Sequence, residues 1–283
     1  MPTVTFTGST GVGLAVPITV NQSGDPVPTG TLVKQDNMTL TNAEAIDQIW
    51  GQHSEEGQTA GDAPNPGNRF EWRTADDGPL VNGIRTRYRY LFKAAANRRN
   101  EIGQVNNQTR GFVYAVGGEY VTRFSMRTPA NVAWVGSNDN AGALMQMKHS
   151  SATGNGGFGG NPASSGPPMG IEAFGPNSAN RMAVTAEQHS NETHVWEANT
   201  PHNQWFDMAL HVRYDFASRG GFVNVYYALN GQPLSLVRHW DGGTIKENTA
   251  GQPMASTFRV GLYDISDLAR ELSIGPVRQE RIA

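Results

Sequence analysis

The sequence predicts an all-β protein, a sandwich of two antiparallel sheets, and three observations lead to that prediction. Hydrophobic residues make up 37% of the 283 residues, and 33 Gly and 16 Pro supply turns, a composition typical of many short strands rather than of helices. Several short segments alternate apolar and polar residues with the period of two that a half-buried strand requires. The chain is long enough to bury a full core, and β-sandwiches of this length often form a single domain.

Residues 1–38 are expected to form a short N-terminal arm, and residues 39–283 the main domain. Residues 4–7 alternate like a strand, and Gly and Pro between residues 24 and 30 interrupt the pattern that follows. Two interpretations of the arm are equally open: an edge hairpin of the sandwich, or a segment that attaches the protein to a larger assembly.

One short helix is predicted after the arm. Thr41-Asn42-Ala43-Glu44 is a capping-box pattern, in which the Thr41 side chain binds the amide of Glu44 and the Glu44 side chain returns to the amide of Thr41. The helix is expected to continue through Trp50, which we interpret as a core anchor rather than as a residue that stacks on a sugar.

A charged strand is predicted at residues 69–73 (RFEWR). The period of two places its three charged residues, Arg69, Glu71 and Arg73, on one face and its two aromatic residues on the other. Two interpretations are open. The charged face is either a solvated surface with an ion pair, or a surface on which guanidinium groups bind carboxylates in two-pronged fashion.

A basic run follows between residues 84 and 99 and contains no acidic residue; its basic members are Arg85, Arg87, Arg89, Lys93, Arg98 and Arg99. Basic residues interleaved with aromatic ones suit nucleic acid, but the net charge of −3 argues against a nucleic-acid partner. Two alternatives are left. The run is either a solvated edge strand, where Arg blocks unwanted pairing, or a track for a polyanion whose binding weakens with salt.

The segment from residue 119 to 170 is the most informative for chemistry. It predicts two strands, a Gly-rich loop (residues 151–168) and a further strand. Gln146 and Lys148 share one strand face, and His149 joins them only if a bulge intervenes. Together these side chains can hold a carboxylate and move a proton. The loop is expected either to close over a chain-like ligand or to be a disordered surface excursion.

The second half of the chain continues the strand pattern. A strand beginning at Trp205, a Gly-containing turn, a second strand and the turn Asn230-Gly231 predict a hairpin, because Asn-Gly readily adopts the positive φ angles of a tight turn. The last segment of interest, residues 257–263 (TFRVGLY), places Arg259, Gly261 and Tyr263 on one strand face.

In their order, these segments resemble the polysaccharide lyases built on a concanavalin A-like β-sandwich (jelly roll), the group that includes heparin, glucuronan and alginate lyases. The resemblance covers about residues 69–275. One position departs from it, because the family typically places Gln and His two residues apart on one face. Here Lys148 occupies the second position, and His149 is shifted by one.

The resemblance implies binding and β-eliminative cleavage of an acidic, uronic acid-containing polysaccharide. That reaction needs a neutralised carboxylate, a base for the C5 proton and an acid for the departing C4 oxygen. It implies Gln146 and Arg73 for the first task, Lys148 or His149 for the second and Tyr263 for the third, with Arg259 as the cation beside Tyr263. The predicted catalytic residues are Gln146, Lys148, His149 and Tyr263, and the predicted substrate-binding residues are Arg69, Glu71, Arg73 and Arg259.

Metal and cofactor chemistry finds little support in the sequence. The chain has zero Cys, which excludes disulfides, thiol catalysis and Cys-ligated metals. Its 7 His show no metal-binding spacing, so no metal site and no cofactor are predicted. Calcium is the one candidate ion, because Asn and Asp crowd the residues from Gly136 to Asn140.

No export signal and no apolar run of about 18 residues is apparent, so the chain is expected to be soluble, with no membrane partner. The missing export signal is unexpected for an enzyme that acts on an extracellular polymer. Three explanations are open: a trimmed signal, non-classical export, or transport on a phage-like particle. The last gives the alternative function, a non-catalytic carbohydrate-binding adhesion or decoration protein of such a particle, with the arm contacting other virion proteins.

Overall fold

The computed structural model describes residues 27–51, 53–55, 67–94, 99–103, 112–128, 142–163, 166–174, 181–187, 192–263 and 270–282. The strands among them are β1 (Thr31–Asp36), β2 (His53–Glu55), β3 (Arg69–Arg73), β4 (Leu80–Val81), β5 (Ile84–Arg85), β6 (Tyr88–Lys93), β7 (Arg99–Gly103), β8 (Val113–Tyr114), β9 (Glu119–Arg127), β10 (Gly142–His149), β11 (Met169–Phe174), β12 (Arg181–Glu187), β13 (Glu192–Asn199), β14 (Trp205–Arg213), β15 (Phe222–Leu229), β16 (Ser235–Asp241), β17 (Ser256–Tyr263) and β18 (Arg270–Arg281). The helical segments are α1 (Asn42–Ala45), which continues as a π-helical turn (Ile46–Trp50), and a 3₁₀ turn (Ala217–Arg219).

The strands form two large sheets. Sheet A has the order β16-β15-β14-β9-β18-β6-β3, with β1 also paired to β18, and sheet B has the order β13-β12-β11-β10-β17-β7-β2, with β8 also paired to β17. The pairings within both sheets are antiparallel, and β4 and β5 form a separate hairpin. The predicted all-β sandwich with one short helix is therefore confirmed. No helix in the described part of the chain is long and apolar enough to cross a membrane.

The core lies between the two sheets. Along β14 every second side chain faces it, as Phe206, Met208 and Leu210 do, and along β17 Phe258 and Val260 do the same. Fully burying one such side chain contributes roughly 1.5–3 kcal/mol to stability. Because successive side chains in a strand point to opposite sides, the residues between these form the outer face of sheet A and the outer face of sheet B.

The predicted capping box is present at the start of α1. The Glu44 carboxylate accepts hydrogen bonds from the Thr41 amide (2.9 Å) and the Thr41 hydroxyl (2.7 Å). Trp50 is fully buried, with its ring 4.8 Å from that of Phe112, and its Nε1 donates to Asp36 at 2.6 Å. The interpretation of Trp50 as a core anchor is confirmed.

Part of the expected N-terminal arm belongs to the sandwich. Residues 31–36 are β1, which pairs along β18 and ends at the fully buried Asp36. The role expected for residues 1–26 concerns a part of the chain outside the described residues.

The basic run has a structural explanation at its centre. Arg89 and Lys93 are fully buried, and Arg89 forms an ion pair with Asp36 at 2.9 Å and donates a hydrogen bond to Asn42 at 2.6 Å. Both interpretations of the run, a solvated edge and a polyanion track, are therefore wrong for these two residues. The counter-charge that draws Arg89 inward is Asp36 of β1, which is remote in sequence and gives no local signal.

The Gly-rich segment is anchored rather than free. Backbone amides of Phe158 and Ala163 donate to the carbonyls of Pro253 (2.8 Å) and Glu247 (2.9 Å), and the Asn248 side chain donates to the carbonyl of Gly159 (2.9 Å). For residues 151–163 the expectation of a disordered excursion is wrong, because these contacts hold the segment against residues 246–254. Closure over a chain-like ligand stays a prediction.

Candidate functional site on the outer face of sheet B

A row of directly paired residues crosses the outer face of sheet B from β7 to β13: Gly103, Arg259, Gln146, Gly170, Thr185 and His194. This face points away from the core. On β10, the residues that pack into the core are Met145 and Met147. Gln146 is nevertheless only 3% exposed and Arg259 only 5%. Both side chains are therefore covered by neighbouring parts of the chain.

Cations gather around Gln146. Arg99, Lys148 and Arg259 lie on the outer face of sheet B, and Lys246 interacts with Lys148 from the segment that follows β16. Burial is the main cause that lowers the pKa of Lys148; the other three cations add to the effect, and Glu101 opposes it. This cluster provides a local positive field in a protein whose net charge is −3.

Tyr263 lies at the same surface, at the end of β17. It is paired with Arg99 on one side and with Ala143 on the other, and the Arg99 guanidinium lies 4.5 Å from the centre of its ring. Ala143 precedes Gln146 by three residues, and Arg259, the partner of Gln146, precedes Tyr263 by four, so Tyr263 and Gln146 lie about 10–13 Å apart along the strands. Side chains that lean toward one another across that distance can contact one sugar ring between them.

Glu101 completes the cluster from β7. Its side chain is 1% exposed, and its Oε2 lies 3.0 Å from the Nε of Arg99. Burial raises the pKa of Glu101, while the charges of Arg99, Arg259 and Lys148 oppose that rise. Glu101 is thus a buried carboxyl group held among cations.

Two glycines bring β7 and β17 unusually close at this point. Gly103 faces Arg259 and Gly261 faces Glu101, with φ angles of +147° and +148° that L side chains rarely adopt. A Cβ at Gly261 would lie 2.5 Å from the Cα of Glu101, and one at Gly103 would lie 2.7 Å from the Cα of Arg259. Because neither position carries a side chain, the Glu101 carboxyl group and the Arg259 guanidinium can lie close together on this face.

The structure brings four predicted site residues to this face: Gln146, Lys148, Arg259 and Tyr263. It places His149 elsewhere. Pairing with β17 is regular from Met145 to His149, and the bulge lies upstream, between Ala143 and Met145, so the side chain of His149 points away from the outer face. Burial lowers the pKa of His149 to about 4, and nearby cations add to that effect.

The charged strand β3 lies in the other sheet. Arg69 and Arg73 are ion-paired with Glu71 between them, and both guanidinium groups lie over the ring of Tyr90 on β6 of sheet A. The expectation that Arg73 shares a recess with Gln146 and Tyr263 is wrong. Alternation predicts which residues share a strand face, but it does not reveal which sheet the strand joins.

Three residues of the site were not predicted from the sequence. Arg99 and Glu101 flank the buried Asn100 in β7. In the sequence, Arg99 was interpreted only as the end of the basic run, and Glu101 was given no role. Lys246 lies in a segment without periodicity and gave no signal. In the described part of the chain no group of three or more His, Asp or Glu is placed to hold a metal, and the calcium candidate near Gly136 lies outside the described residues.

The fold and this face define a β-sandwich protein in which sheet B carries a cluster of cations beside an amide and a tyrosine. The chain belongs to the polysaccharide lyase family, whose model, described as "Polysaccharide lyase", matches residues 28–279. This confirms the resemblance stated from the sequence and makes a polysaccharide the class of substrate. A comparison with curated proteins finds no match.

Two solved structures illustrate the fold. The endo-β-1,4-glucuronan lyase from the fungus Trichoderma reesei shares 12% identity with a TM-score of 0.51, over 88% of this chain and 95% of that one. The catalytic domain of a GH131 β-glucanase from Podospora anserina shares 10% identity with a TM-score of 0.51, over 89% and 96%. At such low identity these similarities establish the sandwich fold alone, and the names of the two proteins denote different activities.

Proposed function

We propose that this protein cleaves a uronic acid-containing polysaccharide by β-elimination on the outer face of sheet B. The observation that carries the proposal is one arrangement: Gln146 and Arg259 are directly paired, Lys148 shares their face, and Arg99 stacks on Tyr263 beside them. The site presents cations together with an amide, groups that bind the carboxylates of such a polymer.

The first task, neutralising the uronate carboxylate, falls to Gln146 and Arg259. A guanidinium can bind a carboxylate through two parallel hydrogen bonds, and the glutamine NH₂ donates another. Both side chains are almost fully buried, and a charge interaction is stronger there than in water. Withdrawing charge from the carboxylate makes the C5 proton of the sugar acidic.

The second task, removing that proton, falls to Lys148. An amine accepts a proton only when it is neutral, and burial together with Arg259 and Arg99 favours the neutral amine by lowering the pKa of Lys148. His149, the other predicted base, points away from this face, so it is left out of the reaction.

The third task, protonating the departing oxygen, falls to Tyr263. The electron pair of the C5–H bond forms the C4–C5 double bond, the C4–O bond breaks, and the Tyr263 hydroxyl gives its proton to the oxygen. Arg99 over the ring stabilises the phenolate that is left. The proton on Lys148 then returns to Tyr263, directly or through solvent, so the cycle consumes no water and leaves one unsaturated chain end.

A second candidate function is a non-catalytic carbohydrate-binding module on the same scaffold. The observation that favours it is the position of His149, which removes one of the expected catalytic groups from the face that carries Gln146. Such a module would use the same cations to bind the polymer and leave it intact.

One experiment separates these functions. The purified protein is incubated with polyglucuronate, alginate and glycosaminoglycans, with a neutral glucan as control, while ultraviolet absorbance and reducing ends are measured. Reducing ends that appear together with the absorbance of a conjugated unsaturated uronate support the lyase. Binding without either signal indicates the module, and reducing ends without the absorbance indicate a hydrolase, which contradicts β-elimination.

A further inference from the structure

We propose that Glu101 is a positioning residue of this site: its buried carboxylate holds Arg99 over Tyr263 and sets the charge balance around Lys148. This inference rests on the proposed β-elimination and deepens it. No sequence pattern or comparison assigns a role to Glu101, and three features of the molecule support one.

The first feature is geometry. Glu101 lies two residues from Arg99 on β7, on the same strand face, and its Oε2 is 3.0 Å from the Nε of Arg99. The same Arg99 guanidinium lies 4.5 Å from the centre of the Tyr263 ring. Arg99 therefore lies in contact with both the carboxylate and the tyrosine ring, and the charge of the carboxylate helps to hold the guanidinium at the ring.

The second feature is the unusual environment of the carboxylate. Glu101 is 1% exposed, yet neither of its oxygens has a hydrogen-bond partner among the described residues. The contact with Arg99 is thus electrostatic and lacks hydrogen-bond geometry. A buried charge is costly unless it is paired and hydrogen-bonded, so such a group is not explained by stability alone.

The third feature is the charge around Lys148. The groups that act on it are Arg259 from β17, Arg99 and Glu101 from β7, and Lys246 from the segment after β16. Glu101 is the one acidic group in that set, and its charge raises the pKa of Lys148 against the effect of burial and of the other cations. Without Glu101, cations alone would surround the proposed base.

The central experiment compares wild type with Glu101→Gln, which keeps the shape of the side chain and removes its charge. Side-chain NMR titration of Lys148, without substrate, is expected to show a lower pKa in the variant, because the one group that raises it has lost its charge. An unchanged titration of Lys148 overturns the inference, whether or not the wild type cleaves a polymer.

Kinetics supply a second readout. In Glu101→Gln, kcat is expected to fall by roughly 10- to 100-fold with a much smaller change in KM, because Arg99 is no longer oriented over Tyr263. The rising limb of the pH profile is expected to move to lower pH together with the pKa of Lys148. Glu101→Asp, which keeps the charge, should keep the wild-type pH profile; a shifted profile in that variant contradicts the charge role.

A folding control separates positioning from simple destabilisation. Near-ultraviolet circular dichroism and Tm are measured for each variant, and Arg99→Lys is added because it keeps the charge but loses the planar group over Tyr263. Arg99→Lys is expected to lower kcat without moving the pH profile. If Arg99→Lys retains wild-type kcat, the orienting role is refuted. If wild type forms no unsaturated product, the proposed function fails, and the titration of Lys148 still decides the role of Glu101.

Discussion

The guanidinium of Arg99 lies over the ring of Tyr263, with 4.5 Å between its central carbon and the ring centre. The pair joins β7 to β17 at the edge of the cation cluster and places a permanent positive charge beside the proposed proton donor. Arg259, the residue expected from sequence to assist Tyr263, lies four residues from it along β17 and pairs instead with Gln146 of β10. In the proposed mechanism the two arginines therefore have separate roles, Arg259 at the substrate carboxylate and Arg99 at the tyrosine.

Tyr263→Phe is expected to lower kcat by about 10²–10⁴-fold, because it removes the proton that the leaving oxygen needs. Binding of the polymer, measured by calorimetry, should change little. The matched control is Tyr90→Phe, since Tyr90 also lies beneath arginines but on the outer face of sheet A. A Tyr263→Phe enzyme with the wild-type rate would refute the acid role.

Arg259→Gln is expected to lower kcat/KM by about 100-fold, because it removes the charge that neutralises the uronate in the transition state. Arg73→Gln, the same change at the residue that sequence reasoning favoured, should leave kcat/KM near the wild-type value, since Arg73 lies in sheet A and is paired with Glu71. The measurement is initial rate against substrate concentration. Equal losses in both variants would contradict the location of the site.

The rate is expected to rise with pH as Lys148 loses its proton, with a midpoint below 10.5, the value for a free lysine, because burial and neighbouring cations lower its pKa. Lys148→Arg keeps a positive charge at every accessible pH and should abolish cleavage while it preserves binding. His149→Gln should keep the wild-type pH profile of the rate. Loss of activity in His149→Gln at unchanged Tm would restore His149 as the base.

Stability in acid provides an independent test of the position of His149. Its pKa is about 4 in the folded protein, against an ordinary value of 6.5 for histidine, so the unfolded chain binds the proton more readily. The neutral ring therefore contributes stability that is present above pH 6.5 and is lost as pH falls toward 4. Chemical denaturation of wild type between these values should show a falling free energy of unfolding, and the fall should be smaller in His149→Gln.

Asp36→Asn is expected to cost about 3–5 kcal/mol, because it leaves the fully buried Arg89 without its counter-charge. Glu71→Gln, which breaks the half-exposed pairs with Arg69 and Arg73, should cost less than about 1 kcal/mol. Urea denaturation measures both values. Similar costs for the two variants would show that burial of the Asp36 pair does not control its strength.

The fold could be predicted from the sequence because strand alternation and turn residues are local signals. The same signals placed Gln146, Lys148, Arg259 and Tyr263 on the correct strand faces. They failed where a contact depends on distant segments. Strand β3 was assigned to the wrong surface because its pairing with β6 determines its sheet, and Lys246 was missed because its position depends on bonds between the segment after β16 and the Gly-rich segment.

Anchoring of the Gly-rich segment has one more consequence. The bonds between residues 151–163 and 246–254, together with the bond from the Ser150 amide to the carbonyl of Ala255, hold Lys148 and Lys246 in range of each other's charge before any polymer arrives. The free protein thus carries a repulsion between these two lysines, which the anionic polymer of the proposed function would relieve. Heat resistance should accordingly increase as polymer is added and decline again at high ionic strength.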